Sequence, residues 1–146
     1  MKFYEKALKS DDDDEMIFYN FGAALYNEKE YQKADSVLKK GLQLNPDFDL
    51  ALMYLGNIAG AQNKKDDAEK YYRRLIKSNR KYFEAYVSLA GLLADKERGE
   101  ARMLLRKCLA MNPAFRSAII ALADTYRDSE PEVAKKYDEI AAKIKE

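Results

Sequence analysis

Residues 18–26 read FYNFGAALY, and the same arrangement returns as LMYLGNIAG at 52–60, YVSLAGLLA at 86–94 and IIALADTYR at 119–127. Gly22, Gly56, Ala90 and Ala123 mark one small position in it, at intervals of 34, 34 and 33 residues. Self-similarity at such a period means stacked copies of one supersecondary unit. A second small position falls at Ala34, Ala68, Ala101 and Ala134, which lie 12, 12, 11 and 11 residues after the first. Copies three and four therefore carry a shortened turn. Pro46 of QLNPDF and Pro113 of AMNPAF form a third landmark, with Arg80 of KSNRKY where a middle proline would stand.

Inside the first copy, Phe18, Phe21, Gly22 and Leu25 lie at i, i+3, i+4 and i+7, one stripe of a helix. Gly22 and Ala34 are small where two helix backbones approach closely, since a larger side chain would force them apart. The periodicity places helices at about 15–27, 30–44, 49–61, 64–78, 83–95, 98–111, 116–128 and 131–145, joined by turns such as NEKE, QNKKD and DKERG. Only 3 prolines and 6 glycines interrupt runs rich in good helix formers, so the class is all-α.

These positions resemble the tetratricopeptide repeat, whose pattern is a large apolar residue, Leu-Gly, Tyr, then Ala, a large apolar residue and Pro. Phe18, Phe21, Gly22, Leu25, Ala34, Leu38 and Pro46 fill the first copy, and Leu52, Leu55, Gly56, Ala59, Ala68 and Tyr72 the second. Tyr86, Leu89, Ala90, Leu93, Ala101, Leu105 and Pro113 fill the third, and Ile119, Leu122, Ala123, Tyr126 and Ala134 the fourth. The resemblance covers nearly the whole chain. It implies a right-handed α-α superhelix of stacked helix-turn-helix hairpins, each first helix lining the concave wall. The expected organisation is a single domain over 1–146, with repeats at 15–48, 49–82, 83–115 and 116–146. Residues 1–14 would be the second helix of a truncated repeat and a linker. Asp138, in a large apolar slot, is expected on a terminal helix with no neighbour stacked upon it.

Lys and Arg number 26 against 25 Asp and Glu, a net charge of +1 that gives no field to draw in nucleic acid or an anionic membrane. The chain has no His and no Trp, which removes the commonest general base and metal ligand, and no cofactor is expected. Cys108 alone forms no internal disulfide, and its slot, shared with Gly41 and Ala141, makes it a buried small residue. Asp11 to Asp14 lack the glycine turn and ligand spacing of a calcium loop and read as helix-capping acids, so no metal site is expected. The opening MKFYEKALKSDDDDE is too polar for a signal peptide, and no membrane insertion is expected. The expected setting is soluble and cytoplasmic, or periplasmic if the chain is excised from a longer precursor.

The candidate site is a second stripe on each first helix, turned away from its hairpin. Tyr19, Ala23 and Tyr26 lie at i, i+4 and i+7, followed by Met53, Asn57 and Gly60 one hairpin later. Val87, Gly91 and Ala94 continue the wall, and Ile120, Asp124 and Arg127 complete it. About half of such a stripe is expected to pack against the neighbouring first helix. The family's carboxylate clamp would need Lys, Asn and Arg on successive first helices. From repeat one its slots hold Tyr19, Ala23, Tyr54, Glu84 and Ser88, and from repeat two Met53, Asn57, Ser88, Ser117 and Ala121. Only Asn57 matches, which argues against a chaperone C-terminal tail as ligand.

The function expected is that of a scaffold or adaptor holding an apolar or amphipathic peptide of a partner in its groove. The alternative is a structural or oligomerisation segment of a longer array. Weak self-association through Phe3, Tyr4, Ala7 and Leu8 of the N-terminal helix is a further expectation. Without an inner basic stripe RNA is not an expected partner, and without a nucleophile beside a base neither is catalysis.

Overall fold

The computed structural model describes residues 14–145, and among them every regular element is an α-helix. Eight are present: α1 (Glu15–Asn27), α2 (Tyr31–Leu44), α3 (Asp49–Ala61), α4 (Lys65–Ser78), α5 (Phe83–Leu93), α6 (Arg98–Met111), α7 (Arg116–Tyr126) and α8 (Pro131–Ala142). The expected self-association face on Met1–Ser10 lies outside the described residues. None of these helices is long and apolar enough to cross a membrane.

α1, α3 and α6 have the expected limits, whereas α5 and α7 stop two residues early and α8 three. Ala94 (φ −57°, ψ −35°) and Arg127 (φ −58°, ψ −41°) keep right-handed helical dihedrals just beyond α5 and α7, so the chain turns there without leaving that conformation. The short turns then close with Glu97 N–H donating to the Leu93 carbonyl and Glu130 N–H to that of Tyr126, both at 2.7 Å.

The longer turns of the first two hairpins are built differently. Lys29 (φ 62°) and Asn63 (φ 60°) sit in the left-handed region. Glu30 N–H reaches the Leu25 carbonyl at 2.9 Å and Lys29 N–H that of Tyr26 at 2.9 Å. Lys64 to Ala59 (2.8 Å) and Asn63 to Gly60 (3.1 Å) repeat the pattern. This is the Schellman closure, which satisfies otherwise orphaned helix carbonyls through one left-handed residue. The extra residue of copies one and two is thus spent at Lys29 and Asn63.

Between hairpins the chain makes one recurrent turn. The N–H groups of Phe48, Tyr82 and Phe115 donate to the carbonyls of Asn45, Asn79 and Asn112 at 3.1, 3.2 and 3.1 Å. Asn45 and Asn79 also accept, through Oδ1, from the N–H two residues on at 3.2 and 3.1 Å. Asparagine side chains favour this self-bonded turn, and proline suits its second position. Arg80 takes the proline's place without changing the turn.

The helices form two compact units, Met1–Ser78 and Asn79–Glu146. In the first, α1 packs on α2, α3 on α4, α2 on α3, and the two first helices α1 and α3 meet. In the second the same relations join α5 to α6, α7 to α8, α6 to α7 and α5 to α7. Leu38, Leu52, Leu55 and Leu75 are fully buried in one unit, and Tyr86, Leu89, Leu105 and Leu122 in the other. Each such side chain contributes about 1.5–3 kcal/mol on leaving water. The small positions act as sequence spacing implied: a Cβ on Gly22 would stand 2.5 Å from Leu38 Cγ. On Gly56 it would stand 2.8 Å from Tyr72 Cδ1.

Candidate functional site

All ten candidate residues remain half-buried or exposed, while the hairpin stripe beside them is closed except at Phe18, which is itself half-buried. Asp14 fixes the start of α1, its Oδ1 accepting from Met16 N–H at 2.9 Å, which is the capping role expected of the acidic run.

On the first unit's wall Tyr19 and Tyr26 stand on α1, and Tyr54 of α3 reaches between them. The Tyr19 and Tyr54 ring centroids are 5.6 Å apart at 72°, and those of Tyr54 and Tyr26 5.1 Å apart at 87°. Phe48 lies 5.9 Å from Tyr19 and Tyr31 lies 5.7 Å from Tyr26. Edge-to-face pairs like these add about 0.5–1.5 kcal/mol beyond the area they bury. Burial raises the Tyr19 phenol above its ordinary value, aided by the neighbouring Tyr54. Burial raises Tyr26 too, then the nearby Tyr31 and Tyr54. Met53 and Ala23 are half-buried, and beyond them Gly60 opens to space, with nothing within 4 Å of an added Cβ. Asn57 is partly engaged, its Oδ1 accepting from the Tyr72 hydroxyl at 2.6 Å across the hairpin.

In the second unit Gly91 and Asp124 come together on a cleft of about 290 Å³, lined also by Ala94, Asp95, Ala121 and Asp128. Val87 and Ile120 are half-buried and do not line it. Arg127 is tied down: its guanidinium donates to Asp124 Oδ1 at 2.7 Å and to Asp138 Oδ2 at 2.9 Å. This gives Asp138 a reason of its own. Its carboxylate occupies a large apolar slot because it pairs with Arg127, just beyond the other helix of the same hairpin.

Sequence reading missed Tyr54, which neighbours Met53 but was assigned only to a clamp slot that it does not fit. It also missed Asp95 and Asp128, although these recur 33 residues apart just beyond α5 and α7. Cys108 is fully buried, its thiol 3.9 Å from the Phe83 carbonyl and pushed up to about 11, chiefly by burial and then by Glu84. Among the described residues no group of three or more acidic or Cys side chains is placed to hold a metal ion.

The helices, their turns and the spared inner stripe define a helical-repeat protein. The tetratricopeptide repeat family profile matches residues 25–91, and the chain is a tetratricopeptide-repeat protein. Protein O-mannosyl-transferase TMTC3 of Mus musculus is 30% identical over 135 residues, which cover 81% of this chain and 15% of that protein. The crystal structure of MamA aligns with a TM-score of 0.83 at 24% identity, covering 95% of this chain and 82% of the other. A thermophilic TPR protein of Thermus thermophilus aligns with a TM-score of 0.76 at 20% identity, covering 90% and 75%. The structural likenesses establish the fold. The chain spans only a small part of the transferase, and a fold of this class serves generally as a protein-interaction scaffold.

Proposed function

We propose that the chain is a non-catalytic binding module holding an apolar or amphipathic segment of another polypeptide against the inner faces of its first helices. The observation that carries this reading is one repeat position. Tyr19, Met53, Val87 and Ile120 occupy it on α1, α3, α5 and α7, and each is left half-buried while the hairpin stripe beside it, Phe18 apart, is closed. A large apolar side chain kept partly in water at every copy forfeits burial energy that a partner would restore.

Catalysis has little to work with here. The sequence holds no His, and the only thiol is buried and held in its protonated form. The transferase activity named for the Mus musculus relative belongs to a protein of which this chain spans 15%. A terminal carboxylate would find no cationic fork, since Arg127 is already paired twice. The test is capture of a partner by the full chain and by Tyr19→Ala and Met53→Glu variants that keep their helical circular dichroism. Recovery should fall in both. Equal recovery would remove the inner wall from consideration.

A further inference from the structure

We propose that the cleft between α5 and α7 in the second unit is the seat of one basic side chain, a lysine or an arginine, carried by the polypeptide held on the inner wall. The proposal rests on the reading that this wall binds a polypeptide, and it specifies one residue of the ligand. Shape, charge and repeat register support it.

The cleft measures about 290 Å³. Small-molecule sites run from about 300 to 1,000 Å³, so this one suits a single side chain rather than a whole ligand. Its floor is Ala90, Gly91, Ala94 and Ala121, all small. A Cβ added to Gly91 would meet nothing within 4 Å, so the space continues down to the helix backbone. Such a floor takes a methylene stem while the charged head stays at the wetter rim.

The rim is acidic. Asp95, Asp124 and Asp128 line it against one cation, Arg98. Asp124 is engaged by Arg127, which also holds Asp138. Asp95, Asp128 and Arg98 make no ion pair among the described residues. Two carboxylates without partners beside one cleft favour a cation there, and hydrogen bonds from its head to them are charge-assisted. A compact metal ion is not that cation, since among the described residues no group of three or more acidic or Cys side chains is placed to hold one.

The register shows that the seat is particular to this unit. The position of Asp95 and Asp128 holds Asn27 and Ala61 in the first two copies, at intervals of 34, 34 and 33 residues. The position of Gly91 and Asp124 holds Ala23 and Asn57 there, at the same intervals. The open glycine and the carboxylates therefore come together only in copies three and four.

The experiment titrates N-acetyl-arginine amide into the isotopically labelled full chain and follows the backbone amide signals of Gly91, Ala94 and Ala121 by NMR. N-acetyl-citrulline amide is the neutral isostere. The arginine compound should shift these signals saturably, and the citrulline compound should bind several-fold more weakly. An Asp95→Asn, Asp128→Asn double variant should weaken arginine binding roughly fivefold, the scale of two exposed charge pairs, and reduce the preference over citrulline. Arg98→Gln should bind arginine at least as tightly as the parent, through loss of a competing charge. All three residues are exposed, and circular dichroism checks that the variants keep their helices. Shifts that do not saturate, equal binding of the two compounds, or an unchanged double variant overturns the proposal. Partner capture separates this proposal from the reading beneath it, and the double variant should recover less partner than the parent. If arginine does not bind while Tyr19→Ala and Met53→Glu still reduce capture, the seat is wrong and the inner-wall reading stands. If capture is insensitive to all of these variants, both readings fall.

Discussion

A methyl group at Gly56 would stand 2.8 Å from both Cδ1 and Cζ of Tyr72, a ring that is only 5% exposed and bonded through its hydroxyl to Asn57. The ring cannot retreat without losing that bond, so Gly56→Ala should destabilise the chain by about 1–3 kcal/mol, the usual cost of overpacking. Gly91 gives the contrast. Nothing lies within 4 Å of a Cβ added there, and it sits inside α5. Gly91→Ala should stabilise by roughly 0.5–1 kcal/mol, because glycine in an open helix position costs that much in backbone freedom. Urea midpoints for the two variants measure the pair, and shifts of the same sign would contradict this account of the small positions. The period alone located Gly56. It could not tell a glycine excluded by a neighbour from one facing open space, because that difference lies in the packing partner.

At the scale of elements, the sequence announced turn length but not turn chemistry. Slot distances of 12 and 11 residues distinguished long from short hairpins. Nothing in NEKE marks Lys29 as left-handed, since lysine has no preference for that region; the Schellman hydrogen bonds impose it. A non-glycine residue held there costs roughly 1–2 kcal/mol. Lys29→Gly should recover a good part of this, about 0.5–1 kcal/mol after glycine's greater freedom in the unfolded chain is subtracted. A lower melting temperature would count against the turn assignment. Asp138 was legible only as an oddity, because its pairing with Arg127 joins α7 to α8 across 11 residues. The hydrogen bond from Arg127 holds the Asp138 carboxyl below its ordinary value of 3.8. A depressed folded-state value means stability fully present above the unfolded value and lost as pH falls through the folded one. The stability gap between the parent and Asp138→Asn should therefore be constant from neutral pH to about 5 and shrink below about 4. Denaturation of both proteins across that range measures it, and a gap independent of pH would mean the carboxylate is not paired in solution.

Over the whole molecule the charges are sorted by helix type. The chain carries 26 cations, yet α1, α3 and α5 contain none. The one on α7, Arg116, donates through Nε to the Ala141 carbonyl at 3.1 Å within its own hairpin. A net charge of +1 conceals this partition, which is why composition spoke only against nucleic acid. The inner stripe itself was legible because its positions recur with the repeat. How much of it neighbouring first helices cover was not, since Tyr54's place between Tyr19 and Tyr26 comes from the contact of α1 with α3. The sorting leads to a prediction about recognition. Apolar and aromatic contacts are not screened by salt, whereas exposed charge pairs are. One or two exposed pairs at the edge of a bound segment contribute about 0–1 kcal/mol each. A roughly tenfold rise in ionic strength should thus weaken binding of a captured partner by no more than a few-fold. Calorimetric titrations at low and high salt measure the ratio. A loss of two or more orders of magnitude would mean that the partner is read by the cations of the second helices and turns, and that the inner wall is not where it binds.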